Sequence, residues 1–140
     1  MEKFTYFDHT ADAKFQAFGK TLEEAFTNSA LAMYGIMLNC DSVIPQVRKK
    51  INVSATRIEP LLYDFLGEFL FLIDTEGFML AKIEHISISK LEKGYNLICT
   101  ALGDSYKNYD IKGDIKAITY NDMKIEEKDG IFIVQAVVDI

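Results

Sequence analysis

The sequence predicts an α+β domain in which two helices pack on one face of a largely antiparallel, mixed β-sheet. Three observations support this class. Apolar residues recur with the helical period in two segments, most other segments alternate polar and apolar residues, and tight-turn signals join the later strands. The chain has 140 residues, of which 49% are hydrophobic and 26% are charged, as is usual for one folded domain. We therefore expect a single domain over residues 1–140.

The first helix is predicted over Leu22–Leu38. Thr21 and Glu24 form a capping box, in which each side chain accepts a hydrogen bond from a free backbone N–H at the start of the helix. Asn39 is typical of a helix end. We expect one stripe of this helix to face the sheet and to be buried. Its members are Leu22, Ala25, Phe26, Ser29, Met33 and Ile36.

The second helix is predicted over Pro60–Asp74. Pro60 suits the first helical turn, where its missing N–H costs little, and Gly77 suits the other end. Apolar residues recur at helical spacing: Leu62, Phe65, Leu66, Phe69, Leu70 and Ile73. Further apolar residues widen this stripe and predict a largely buried helix: Leu61, Phe71 and Leu72.

Alternating polar and apolar residues predict strands at Lys14–Phe18 and Val47–Ala55. In a later strand the apolar positions change from odd to even numbers, which predicts a bulge or bend near Glu84 and His85. Two turn signals predict β-hairpins: Glu92-Lys93-Gly94 and Asp129-Gly130.

The last strand is predicted over Ile131–Ile140. Its residues of one parity should face the core: Phe132, Val134, Ala136, Val138 and Ile140. Asp139 should then point to the opposite face. Asp139 and the α-carboxylate of Ile140 are adjacent oxygen donors of the hard type that Mg²⁺, Mn²⁺ and Ca²⁺ prefer. The alternative is a chain end without a role.

A second candidate for metal binding is the segment Asp8-His9-Thr10-Ala11-Asp12. Its two carboxylates and one imidazole can converge on a hard cation if the chain turns there. The alternative, and the commoner use of such residues, is that Asp8 and Thr10 cap a turn through nearby backbone N–H groups.

Two groups of basic residues have less specific meanings. Lys116 can neutralise a phosphate or pair with one of the acids, but a lysine on a strand is more often the solvated side of the pleat. The run Arg48-Lys49-Lys50 has no aromatic residues between its charges, so a solvated strand face is favoured over an RNA-binding groove.

Charge and composition exclude several classes of protein. The net charge of −6 disfavours wrapping of RNA or DNA by this chain alone. Cys40 and Cys99 lack the spacing of a zinc knuckle or a disulfide scaffold, and they are interpreted as buried apolar residues. The first residues lack a signal-peptide pattern, and Asp64 and Glu68 interrupt the longest apolar stretch. We expect a cytoplasmic protein with no membrane partner.

Four segments together resemble the archease family, in family order and spacing over essentially the whole chain. They are Asp8-His9-Thr10-Ala11-Asp12, the run from Leu61 to Glu68, Ile115-Lys116-Ala117-Ile118-Thr119-Tyr120, and Val138-Asp139-Ile140. Two positions depart from the family pattern. Asn121 stands where members usually have His, which questions any role for an imidazole there, and Phe65 stands where Trp is common.

The resemblance implies a non-enzymatic protein cofactor of the RtcB-type RNA ligase of tRNA splicing. Family members promote guanylylation of the ligase and support multiple turnover, so RNA and GTP are contacted only through the ligase, and DNA is not a partner. The resemblance also implies a divalent metal ion, Ca²⁺, Mn²⁺ or Mg²⁺. Its expected ligands are Asp12, Asp139 and the Ile140 carboxylate, with Asp8, His9 and Lys116 as neighbours.

Two other functions remain open from the residues alone. Asp8, Asp12 and Asp139 can form the metal cage of a small phosphoesterase or nuclease, which would act on RNA without a partner. A chaperone-like binding module would instead activate its partner independently of Asp12 and Asp139.

Overall fold

The computed structural model describes residues 1–8 and 12–140. In these residues the chain forms two α-helices and eight β-strands. Their order is β1 (Phe4–Phe7), β2 (Asp12–Gly19), α1 (Leu22–Gly35), β3 (Val47–Ala55), α2 (Ile58–Glu76), β4 (Phe78–Leu91), β5 (Gly94–Ser105), β6 (Ala117–Ile118), β7 (Lys124–Lys128) and β8 (Ile131–Asp139).

The strands form two sheets. The terminal sheet has the order β1-β2-β8-β6, and β7 also pairs with β8. The central sheet has the order β3-β5-β4. Strand pairs in the described part of the chain are antiparallel. The predicted α+β class is confirmed, but the strands divide between two sheets instead of one, because alternation identifies a strand without naming its partner.

Both predicted helices are present, but α1 ends at Gly35, three residues before the predicted Leu38, and Asn39 instead caps the short 3-10 helix Cys40–Ser42. The Thr21 hydroxyl accepts a hydrogen bond from the backbone N–H of Glu24 at 3.1 Å. The Glu24 carboxylate accepts from the N–H of Lys20 at 3.3 Å, one residue earlier than the capping-box pattern predicts. Helix α2 is two residues longer at each end than predicted, and Gly77 closes it in the left-handed conformation, with φ of 63°.

The predicted irregularity in β4 is confirmed. His85 has a φ of 54°, and the pairing of β4 with β5 shifts between Glu84 and Ser87. A second shift, between Leu80 and Lys82, was not predicted. Both predicted hairpins are present, joining β4 to β5 and β7 to β8.

One hydrophobic core joins both helices to both sheets. Helix α1 contacts β2 and β8 on one side and β4 on the other, while α2 contacts β3 and β5 as well as β6. The predicted bulky core residues are fully buried: Phe26, Met33, Phe65, Leu66 and Phe69. Burial also raises the pKa of the Cys40 and Cys99 thiols to about 12. Cys99 is buried as predicted, whereas Cys40 is only half-buried.

Two burial predictions were wrong. Phe71 is 60% exposed, so it lies on the solvent side of α2. Ile140 is 42% exposed, because β8 ends one residue earlier, at Asp139. No helix in the described part of the chain has the length and apolar character needed to cross a membrane.

Candidate metal centre

The two expected carboxylate ligands lie opposite each other in the terminal sheet. Strands β2 and β8 are antiparallel neighbours, and Asp12 is the direct partner of Asp139 in their register. Residues directly opposite in an antiparallel pair project from the same face, with Cα atoms about 4.5–5.5 Å apart. The two aspartates are therefore neighbours in space although 127 residues separate them in the chain.

The register follows from the residues farther along the two strands. Phe15 and Ala17 of β2 are fully buried, and their partners Ala136 and Val134 of β8 are buried with them. A shift of one residue would turn these apolar side chains out of the core. The packing of the core thus fixes the pairing that brings the two acids together at the end of the sheet.

The strand on the other side of β8 brings Lys116 to the same end. Ala117 of β6 is the partner of Asp139, and the backbone N–H of Lys116 donates to the Asp139 carbonyl oxygen at 2.8 Å. Asp139 is exposed and Asp12 is half-buried. The Asp139 side chain is therefore accessible to solvent, while the hydrogen bond from Lys116 holds its main chain in place.

Of the other residues expected at the metal site, Asp8 and Ile140 are described by the structure. Asp8 follows β1 and lines the same shallow groove as Asp12. His9 lies outside the described residues, so its expected role stays a prediction. Ile140 directly follows Asp139 and is exposed at the same end of the sheet.

Two charged residues near the pair were not predicted from the sequence. Lys14 follows Asp12 by two residues, which places both on one face of β2. Its ammonium group lies 3.5 Å from the Asp122 carboxylate and 5.8 Å from the centre of the Phe7 ring. The two-residue spacing in a predicted strand could have identified Lys14, whereas no local pattern points to Asp122.

The turn that carries Asp122 is fixed over the face of the terminal sheet that points away from the core. Gln135 donates a hydrogen bond to the Asp122 carbonyl oxygen at 2.7 Å and accepts one from Gln16 at 2.9 Å. The Thr119 hydroxyl donates to the Val137 carbonyl oxygen at 2.8 Å. These contacts cover the face of β8 opposite the core, and they hold Asp122 toward Lys14.

The donor set fits a hard cation with an incomplete protein shell. Within residues 1–8 and 12–140, no three side chains of His, Cys, Asp or Glu lie close enough together to hold an ion. The pair of Asp12 and Asp139 supplies two carboxylates, and hard cations take six or more oxygen ligands, including main-chain oxygens and water. Two facing carboxylates also repel each other unless a cation lies between them.

Known proteins similar to this chain share its length and fold. The family model described as the archease protein family matches residues 4–140. The protein archease of Thermococcus kodakarensis is 39% identical over 143 residues, with 100% of both chains covered. The solution structure of protein 1598 of Methanobacterium thermoautotrophicum is 32% identical, covers 100% of both chains and has a TM-score of 0.86.

A more distant structure shares the fold alone. It is the crystal structure of an archease, possible chaperone, from Thermotoga maritima, with 17% identity, a TM-score of 0.60, and 96% of this chain and 94% of that one covered. The family match over nearly the whole chain, together with relatives above 30% identity at full coverage, leads to one conclusion. This chain belongs to the archease family.

Proposed function

We propose that this protein is a metal-binding cofactor protein of an RtcB-type RNA ligase, which it activates in the cytoplasm without being a catalyst itself. The observation that carries the proposal is the pairing of Asp12 with Asp139 at the open end of the terminal sheet, in a chain of the archease family. The ion would promote guanylylation of the ligase and thereby its multiple turnover.

The ligands of the ion would come from two adjacent strands. Asp12 and Asp139 supply facing carboxylates, and Ile140, the other expected ligand, directly follows Asp139. Such oxygen donors suit Ca²⁺, Mn²⁺ or Mg²⁺. When bound, the ion supplies positive charge that can neutralise phosphate groups during nucleotidyl transfer.

The surroundings of the pair suit a contact with a second protein. Asp139 lies at the end of a rigid strand, and its exposure lets a partner reach it. A net charge of −6 makes direct binding of RNA unfavourable, so the chain would act on RNA through the ligase. Lys14 and Lys116 lie near the acids and can meet the phosphates of a nucleotide held by the partner.

A ligation assay tests the proposal. Limiting RtcB-type ligase is given GTP, Mn²⁺ and RNA ends bearing a 2′,3′-cyclic phosphate and a 5′-hydroxyl, with and without this protein. We expect multiple turnover only when the protein is present. Asp139→Ala should abolish the stimulation while Glu127→Ala, which removes an exposed acid from β7, should preserve it.

Two results would contradict the proposal. If Asp139→Ala and Asp12→Ala both stimulate the ligase normally, the aspartate pair has no part in activation and a binding module is favoured. If the protein alone hydrolyses RNA or phosphoesters with Mn²⁺, a metal-dependent phosphoesterase is favoured.

A further inference from the structure

The uncovered side of α2 carries two aromatic residues separated by a glycine. Tyr63, Gly67 and Phe71 are spaced by four residues, so they lie along one ridge of the helix. Phe71 is 60% exposed. A Cβ atom added at Gly67 would have nothing within 4 Å apart from its chain neighbours and the backbone of the helix itself. The ridge therefore has a gap between two rings, which are about 6 Å of helix rise before and after Gly67. We call this feature the α2 notch.

The ring of Tyr63 is held in place by a second tyrosine. Tyr120, from the turn after β6, stacks on Tyr63 with ring centres 4.3 Å apart and planes 8° from parallel. Tyr120 is 53% exposed. A stacked pair of rings loses little conformational freedom when a partner binds, so one wall of the notch is ordered in advance.

The walls of the notch carry negative charge. Asp64 and Glu68 each lie one residue beyond a member of the ridge, and both are exposed. Burial raises the pKa of Tyr120, the nearby charge of Asp64 raises it further, and the charge of Arg57 lowers it. In the described part of the chain, the ion pairs formed by side chains do not include Asp64, Glu68 or the neighbouring Arg57.

The whole of α2 has the same sign of charge. It contains five acids and no Lys or Arg: Glu59, Asp64, Glu68, Asp74 and Glu76. Lys49 of β3 pairs with Glu76, which leaves the four other acids without a cation of their own. A second copy of this chain would bring acid against acid, and a nucleic-acid backbone would be repelled. The charge of this face therefore complements a basic protein surface.

Gly67 supplies a further reason to expect an occupant. A glycine inside a helix lowers stability relative to alanine, because it gains flexibility in the unfolded chain. Among the described residues, no atom of another element lies within 4 Å of a Cβ placed at Gly67, so packing does not require a glycine there. The missing side chain instead leaves room for a group from outside.

We propose that the α2 notch docks an arginine side chain of a basic protein partner. The aliphatic stem lies over Gly67 between the rings, where a guanidinium group stacks on an aromatic face and pairs with Asp64 and Glu68. This inference rests on the proposed function for the identity of the partner, since a ligase that holds RNA must present Arg and Lys to phosphates. It adds a second contact, separate from the aspartate pair.

The test measures binding of the fluorescently labelled protein to the RtcB-type ligase at low and high salt. Gly67→Gln fills the notch with a residue that favours helix, so lost binding cannot be attributed to a weaker fold. Phe71→Ser removes one aromatic wall of the notch, and Asp64→Lys reverses the charge of one of its acids. We expect each of these variants to raise Kd about tenfold, with a salt dependence that weakens for Asp64→Lys.

Matched controls place exposed substitutions elsewhere. Ile98→Ala removes an exposed apolar residue from β5, and Glu127→Lys reverses an exposed charge on β7. Both should bind the ligase like the wild type. Asp139→Ala should fail to activate the ligase but still bind it more tightly than the notch variants do, which separates docking at α2 from the action of the metal site.

Four results would overturn the inference. If the wild type activates the ligase and the notch variants bind it with unchanged Kd, docking at α2 is wrong and the proposed function stands. If the wild type neither binds nor activates the ligase, both proposals fail. Binding of a single-stranded RNA oligonucleotide that is lost in Tyr120→Ala would replace the arginine with a nucleobase. Sedimentation that shows notch-dependent dimers would replace the partner with a second copy.

Discussion

Asp104 and Asp139 are both aspartates at the ends of long strands, yet their surroundings give them opposite roles. Asp104 is 6% exposed and accepts hydrogen bonds from Ser105, Tyr109, Gln46 and Asn108, at 2.8, 2.8, 3.0 and 3.2 Å. Asp139 is exposed and lies opposite a second carboxylate. An acid whose oxygens are satisfied by donors fastens the fold, whereas an acid that faces another acid is suited to bind a cation.

The largest expected effect comes from the same substitution at both positions. Asp104→Asn replaces an acceptor by a group that is half donor, so N–H and O–H groups of the network lose their partner in a buried place. We expect a melting temperature several degrees lower. Asp139→Asn removes a charge from a facing pair, so the melting temperature should stay the same or rise slightly. Thermal unfolding followed by circular dichroism measures both, and equal losses would contradict the distinction.

Many of the local features could be predicted because their signals lie in a few adjacent residues. Thr21 and Glu24 marked the start of α1, and the change of parity near His85 marked the bulge in β4. Asp129-Gly130 marked its hairpin, where both residues have the positive φ of a type I′ turn.

The features that were missed depend on which elements meet. Alternation does not name the partner of a strand, so it could not divide the strands between two sheets. The ion pair of Lys14 with Asp122 depends on a turn folded over β8. Phe71 fits the apolar stripe of α2 in the sequence, but its side chain is exposed to solvent in the structure. Asp12 and Asp139 were related by the family resemblance, since spacing alone does not pair residues so far apart.

The second prediction concerns the pH dependence of the Asp104 network. The N–H of Ser105 and then the Tyr109 hydroxyl hold the pKa of this carboxyl below its usual range. A lowered folded-state pKa gives stability that is complete above the usual aspartate value of about 3.9 and is lost as the pH falls through the lower folded-state value. Urea unfolding of the wild type and Asp104→Asn should therefore show a difference that shrinks below about pH 4. A constant difference from pH 6 to pH 3 would show that the charge of Asp104 is not what stabilises the network.

The third prediction separates stability from docking at α2. Gly67→Ala should raise the free energy of unfolding by about 1 kcal/mol, because alanine restricts the unfolded chain and the added methyl group meets no atom outside its own stretch of helix. Chemical denaturation measures the change. A loss of stability would show that the space beside Gly67 is needed by the fold itself, and the glycine would then give no support to an external partner.

The smallest expected effect returns to the aspartate pair and to a lysine beside it. Lys14 lies two residues from Asp12 on the same face of β2, so the Cα atoms of the two residues are about 7 Å apart along the strand. A unit charge and a divalent ion at that distance repel by roughly 1 kcal/mol in water-like surroundings, and salt reduces this further. Lys14→Gln should therefore tighten binding of Mn²⁺ or Ca²⁺ about threefold in isothermal titration, and more at low salt than at high salt. Lys90→Gln, which removes an exposed charge from β4 in the other sheet, should leave the affinity unchanged. Weaker binding in Lys14→Gln would mean that the ammonium group supports the arrangement of the acids more than it repels the ion. The aspartate pair would then depend on a neighbouring cation for its structure, and Asp139 would differ less from the donor-bound Asp104 than the pairing of Asp12 and Asp139 suggests.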